Sequence, residues 1–170
     1  HISPKIDGEL WFMIIEGNEV VLSNTNGKLI AGDIPLVSEV TNISSRFIGR
    51  SILVGELFVA TKDSRPRVSD LSSALGGGAK AEVEKLGFAA FDIISGGDKL
   101  SNIPLADYKD RLELMQRLLD GGKRVKCIKT EVINNPKEAI SYFEDWVGAG
   151  KAEGLVIRAG EGRIYKVKPS

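Results

Sequence analysis

Residues 51–60, SILVGELFVA, restrict this 170-residue chain more than any other stretch. Bulky and β-branched side chains crowd it around one glycine and one acid, a composition that suits a strand. Similar runs recur. Residues 9–15 and 19–23 flank the turn signal Glu16-Gly17-Asn18 and read as a hairpin. After a turn at 24–27, residues 28–31 form a short third strand. Residues 88–94 read as another strand, turned by Ser95-Gly96-Gly97-Asp98. Residues 124–131 make a basic, alternating strand, and 153–158 and 163–168 are the last two, with Gly160 and Gly162 between them. Helices are expected at 35–46, 68–75, 80–85, 105–119 and 136–147. The fourth is amphipathic with Gly121 as its stop, and the last carries Pro136 in its first turn. Regular βαβ alternation is missing, so a Rossmann arrangement is not expected. The pattern predicts an α+β fold with mainly antiparallel sheets.

Formal net charge is zero, so no global basic field points to nucleic acid, although a local basic groove is compatible with that balance. The single cysteine, Cys127, permits neither an internal disulfide nor a zinc cluster and fits an intracellular setting. No apolar run is long enough to span a membrane, and no signal peptide is visible, so no membrane partner is expected. The chain is already in SPKIDG at its third residue and closes on the strand-like YKVKPS. A fragment of a longer protein is the expectation.

Several residues invite chemistry. The run GGGAK at 76–80 lacks the spacing of a phosphate loop and reads as a linker between helices. Glu56 lies mid-strand beside Gly55, which opens space along the backbone; a solvent-facing acid is the plain alternative. Glu153 repeats that pattern ahead of Gly154. Lys166 and Lys168 share one strand face, where their repulsion is tolerated by solvent or by an anion. Phe91, taken alone, is a core phenylalanine. Lys5 sits between Pro4 and Asp7, a placement that a surface lysine does not need. Together these groups suit an amine that attacks phosphorus, with lysines or a carboxylate-held divalent metal neutralising the phosphate.

In order, these pieces resemble the motifs of the covalent nucleotidyltransferases: ATP-dependent DNA ligases, RNA ligases and mRNA capping enzymes. Lys5-Ile6-Asp7-Gly8 resembles the first motif, KxDG. Val54-Gly55-Glu56-Leu57 resembles the third, Phe91-Asp92-Ile93 the FD(I/L) element after it, Glu153 to Arg158 the fourth, and Lys166-Val167-Lys168 the fifth. The five span the whole chain, and Pro104-Leu105 ahead of Arg111-Leu112 is most like the DNA ligases. The resemblance implies an ATP-grasp-like ligase core, with two mainly antiparallel sheets, flanking helices and the nucleotide pocket between them. It implies that Lys5 attacks the α-phosphate of ATP and carries AMP as a phosphoramidate. Glu56 and Glu153 would contact the ribose or hold a metal, Mg²⁺ being the usual companion of phosphates. Phe91 would stack on adenine, and Lys166 and Lys168 would bind the α-phosphate. Ser3, Pro4, Ile6 and Arg158 complete the expected nucleotide-binding set. AMP would then pass to the 5′-phosphate of nicked double-stranded DNA. A downstream OB-fold domain with the sixth motif would complete nick sealing, which this piece by itself is expected to perform poorly.

The chain departs from that pattern at two places. Leu10 stands where the first motif usually ends in arginine, and Asn24 where many ligases have arginine after serine. Arg46, Arg50 and Arg65 are candidate replacements. An RNA ligase, a GTP-using capping enzyme, or a non-catalytic relative that binds nucleic acid would share the core. The basic strand, through Lys126 and Lys129, is a candidate DNA contact, and a charged solvated edge strand explains it as well.

Overall fold

The structure, a computed structural model, describes residues 1–60, 83–148, 152–159 and 163–169. The helix expected at 68–75, half of that at 80–85, the glycine run at 76–80, Arg65, Gly160 and Gly162 lie outside these residues.

Two sheets organise the described chain. The larger has the order β4-β3-β2-β5-β6-β7, and the smaller the order β1-β8-β9. In the larger, β2 (Glu9–Glu16) pairs antiparallel with β3 (Glu19–Asn24) and with β5 (Ile48–Val59), and β4 (Leu29–Ile30) extends the hairpin. On the other side β5 pairs antiparallel with β6 (Leu86–Gly97), and β7 (Val125–Cys127) joins β6 in parallel. Strand β2 shows why this sheet is two-faced. Trp11, Met13 and Ile15 are fully buried, while the alternate residues Leu10, Phe12 and Ile14 keep some exposure. The period of two sends the first set into a core with Leu22, Leu53, Leu57 and Phe88. Two helices close that core: α1 (Pro35–Asn42) with Leu36, Val37 and Val40, and α2 (Tyr108–Leu118) with Leu112, Met115 and Leu118.

The smaller sheet places β8 (Gly154–Arg158) between β1 (Ile2–Lys5) and β9 (Ile164–Val167), all antiparallel. Ile2 and Leu155 turn one face of it onto Trp146 and Ala152, with α3 (Pro136–Phe143) supplying Ala139, Tyr142 and Phe143. The opposite face, carrying Ser3, Lys5, Val156, Arg158 and Lys166, meets the half-exposed side of the larger sheet across a cavity.

Some expected boundaries shift. The helix expected at 35–46 stops at Asn42 and resumes as a 3₁₀ turn at Ser44–Arg46. The Thr41 hydroxyl donates to the Val37 carbonyl and Ser44 Oγ to that of Thr41, local bonds that compete with a regular helix. Strand β6 runs through Ser95-Gly96-Gly97, where a turn is expected. Gly96 is left-handed there (φ 78°), which L side chains with a Cβ rarely adopt, so the strand bulges against Ser51 and continues. The turn falls at Asp98, whose carboxylate accepts the N–H groups of Leu100 and Ser101. Helix α2 starts at Tyr108 rather than 105, because the carbonyls of Leu105 and Ala106 turn to Arg111 Nη1. Helix α3 ends at Phe143 and continues as a single π-turn at Glu144–Gly148.

Two differences matter for the site. The short strand β1 is not anticipated from the pattern, and it pairs Lys5 with Gly154. The basic segment 124–131 is a strand only at Val125–Cys127. It then crosses between the sheets, so that Ile128 N–H donates to the Ala90 carbonyl and Glu131 bridges Ile2. An alternating pattern reads the same whether a segment serves one sheet or two.

Candidate active site

Strand β1 ends at Lys5, and the chain must then turn onto β2. Gly8 N–H donates to the Ile6 carbonyl (3.1 Å), and a Cβ on Gly8 would collide with the Leu57 carbonyl. Glycine lets the chain pass that close to β5. Lys5 is thereby held at a sheet margin, facing the opposing sheet.

Lys5 Nζ lies 2.5 Å from Glu153 Oε2, and Lys168 Nζ lies 3.2 Å from Glu153 Oε1. The backbone fixes this arrangement as well, since Glu153 N–H donates to the Lys5 carbonyl (3.0 Å). Gly154 follows, and any Cβ there would strike the Val167 carbonyl. The glycine of the Glu153-Gly154 pair therefore lets β9 come close enough for Lys168 to reach the carboxylate. Gly55 acts in the same way beside Glu56, because a Cβ would fall 2.5 Å from the Ala89 carbonyl and 2.7 Å from the Phe88 ring. Both acids sit where a glycine admits a neighbouring strand.

Glu56 approaches the lysines from the larger sheet, opposite Leu10 on β2. Burial pushes its carboxyl above the usual carboxylate range, with Lys5 and Lys166 pulling it back in part. Glu153 behaves oppositely. Burial works against its charge, but the hydrogen bonds from Lys5 and Lys168 prevail and hold its carboxyl low. Glu153 is thus paired with two lysines, whereas Glu56 has no ion pair among the described residues.

Between the sheets lies a cavity of about 330 Å³, the size of small-ligand pockets. The smaller sheet and the following loop line it with Ser3, Pro4, Lys5, Ile6, Val156, Arg158, Ile164 and Lys166; the larger sheet side adds Leu10, Val54, Glu56, Phe91 and Ile128. Of the residues singled out from sequence, Ser3, Pro4, Lys5, Ile6, Glu56, Phe91, Arg158 and Lys166 all line this space. Glu153 and Lys168 stand beside Lys5. The shared face of Lys166 and Lys168 thus meets an anion at Lys168 and the cavity at Lys166. Phe91 is not a core residue: it is half-buried, with the Arg158 guanidinium 5.1 Å from its ring centroid.

Other expectations are redirected. Arg46 donates to the carbonyls of Leu118 (3.2 Å) and Asp120 (2.8 Å), so it caps α2 rather than serving the cavity. Arg50 pairs opposite Glu16, six residues along β5 from Glu56 and so about 20 Å away. Asn24, at the place of the usual arginine, donates to Glu9 Oε1 (3.2 Å) and accepts from Asn26 and Lys28, a turn-building role. Leu10 enters the cavity as an apolar wall. Lys126 is exposed on β7, and Lys129 Nζ lies 5.7 Å from the Trp146 ring centroid. Sequence reasoning missed Val54, Ile128, Val156 and Ile164, whose only signal was alternation on strands with an unknown partner face. It also missed Tyr108, whose phenol donates to the Phe91 carbonyl (2.7 Å).

Two mainly antiparallel sheets with a lysine-lined cavity between them form the fold of DNA ligase catalytic cores. A solved structure titled Pmar-Lig_PreS3 matches 99% of this chain with a TM-score of 0.75 at 19% identity, over 42% of its own length. The ligase domain of M. tuberculosis LigD matches 97% (TM-score 0.65, 15% identity, 49% of that chain). The Chlorella virus DNA ligase-adenylate matches 98% (TM-score 0.60, 24% identity, 60% of that chain). In sequence, a DNA ligase of Nitrosopumilus maritimus is 27% identical over 160 residues, which are 91% of this chain and 26% of that protein. The chain belongs to the ATP dependent DNA ligase domain family, whose model matches residues 1–169. It spans about a quarter of that curated relative and less than two thirds of each of those solved ligases.

Proposed function

We propose that this domain forms a covalent lysine–AMP intermediate from ATP and passes the AMP on to a DNA 5′-phosphate. The observation that carries the reading is Lys5, bonded to Glu153 at 2.5 Å at the mouth of a nucleotide-sized cavity that Lys166 also enters. In the reaction, Lys5 Nζ forms a bond to the α-phosphorus while the bond to the pyrophosphate oxygen breaks. Lys5 attacks as the neutral amine, its ammonium having released one proton to solvent, and loses a second proton as the N–P bond forms; Glu153 Oε2, its hydrogen-bond partner, would accept that second proton. Lys166 faces the developing charge on the α-phosphate, with Lys168 behind it on Glu153. Phe91 offers a ring for the adenine to stack on.

The donor set also suits Mg²⁺. Glu56 is a half-buried carboxylate with no ion pair among the described residues, and Mg²⁺ is commonly held by one or two carboxylates together with substrate phosphates. Glu56 and Glu153 would hold it, and it would supply charge neutralisation on the phosphates. The described residues contain no group of three or more His, Cys, Asp or Glu placed to hold a metal, so the phosphates would complete the coordination.

Nicked double-stranded DNA is the substrate that family membership supports, and a downstream OB-fold domain in the full-length protein is expected to complete sealing. Cys127 is a free thiol, in keeping with an intracellular setting, and no described helix is long and apolar enough to cross a membrane. The test is the intact mass of the protein before and after incubation with ATP and Mg²⁺. A gain of one AMP mapped to Lys5 is expected. A gain that persists in Lys5→Ala would sink the assignment. A gain with GTP in place of ATP would move the chain toward the capping enzymes.

A further inference from the structure

Four side chains at the far end of the cavity stack as alternating cations and rings. The Arg111 guanidinium lies 5.6 Å from the Tyr108 ring centroid, and the Arg158 guanidinium lies 5.1 Å from the centroids of both Tyr108 and Phe91. Such contacts are favourable when partly desolvated, and arginine is well suited to them. The ladder is closed at its ends by hydrogen bonds. Tyr108 Oη donates to the Phe91 carbonyl (2.7 Å), Arg111 Nε donates to Asp92 Oδ1 (2.8 Å), and Arg158 Nη1 donates to the buried Ser3 Oγ (3.3 Å). Phe91 belongs to the larger sheet, Arg158 to the smaller, and Tyr108 to α2. The ladder is therefore a clasp between the two sheets, with the helix as its anchor.

Its place along the cavity is informative. Lys5 pairs with Gly154, and Arg158 is four residues further along β8, about 13 Å away. The phosphate chemistry occupies one end of the cavity and the ladder the other. Burial pushes the Tyr108 phenol up to about 12, with Arg158 pulling it back in part, so it remains a hydrogen-bond donor throughout the neutral range.

We propose that Tyr108 is a positioning residue for the nucleobase: through the ladder it holds Phe91 and Arg158, one from each sheet, at the end of the cavity that the base would enter. Tyr108 does not itself line the cavity, so it acts through its two neighbours. The proposal rests on the nucleotide-binding reading above and adds to it a determinant of base affinity supplied by the helix.

The experiment compares binding of ATP with binding of inorganic tripolyphosphate, which carries the phosphates without a base, measured by calorimetry on the whole chain. The wild type is expected to prefer ATP. Tyr108→Leu, which removes the ring, is expected to weaken ATP by about fivefold to thirtyfold and leave tripolyphosphate unchanged. Tyr108→Phe, which removes only the hydroxyl, should weaken ATP by about twofold to fivefold, again without effect on tripolyphosphate; it decides the matter if Tyr108→Leu does not fold. Equal losses for both ligands, no loss for either, or a wild type without preference for ATP overturns the proposal. Adduct formation on Lys5 is read separately. A chain that makes no adduct but shows the ATP-only loss fails the catalytic reading and keeps this one.

Discussion

The two sheets divide the work unequally. The larger sheet buries Trp11, Met13, Leu22, Leu53, Leu57 and Phe88 in one continuous core closed by two helices. Among the described residues, the smaller rests on a cluster of four buried ones, and its edge strand β9 is exposed along its whole length. Yet Lys5, Glu153, Arg158, Lys166 and Lys168 belong to the smaller sheet or directly flank it, whereas the larger contributes Glu56 and an otherwise apolar wall to the cavity. The difference teaches where charge can be concentrated. Packing a cluster of lysines into the large core would strip them of solvent at prohibitive cost, whereas a thin sheet facing a cavity leaves them partly hydrated.

The comparison can be broken by substitutions that should affect one sheet and not the other. Lys5→Ala is expected to abolish lysine–AMP formation while leaving the melting temperature nearly unchanged, measured by intact mass and calorimetry. Coupled loss of both would show that the small sheet is structural after all. Trp11→Ala, in the large core, should cost about 3–5 kcal/mol of stability by denaturant unfolding. A cost near zero would mean that the core is not centred on β2. Glu153→Gln removes the anion between two lysines and should slow adduct formation by about a hundredfold or more, with stability almost unchanged. Single-turnover kinetics would check this, and an unaltered rate would return Glu153 to a surface salt bridge.

The smallest effect is expected away from both sheets' faces, at the turn after β6. Burial opposes the charge on Asp98, but hydrogen bonds from Arg117 and from the N–H groups of Ser101 and Leu100 outweigh it and hold its carboxyl below the ordinary range. A carboxyl depressed in the folded state stabilises above its unfolded pKa, and that contribution is lost as pH falls through the folded value. Asp98→Asn should therefore cost only about 0.2–1 kcal/mol at neutral pH and less in strong acid, read from urea midpoints across pH. A cost that grows as pH falls would reverse the assigned sign.

Much of the site was legible in order along the chain. The lysine in SPKIDG, the acids beside Gly55 and Gly154, Phe91 and the paired lysines all come to one cavity or its margin, because the residues that chemistry needs are of unusual type for their positions. What was not legible depends on partners far away in sequence. Nothing local distinguishes Arg46, which caps α2, from an arginine that reaches a ribose. Nothing local in ISPK announces a strand, because β1 exists through its pairing with β8, some 150 residues on. Segment 124–131 reads as one strand and serves two sheets.

By itself, then, the sequence determined the strand-rich α+β class, the hairpin, and the identity and order of the candidate site residues, since these follow from side-chain type and from periods of two and 3.6. The tertiary structure decided which of Glu56 and Glu153 is saturated by lysines, which arginines are spent on carbonyls, and that Tyr108 joins Phe91 and Arg158. Charge compensation and stacking act over a few ångströms in space, and only the folded chain brings residues tens of positions apart within that range.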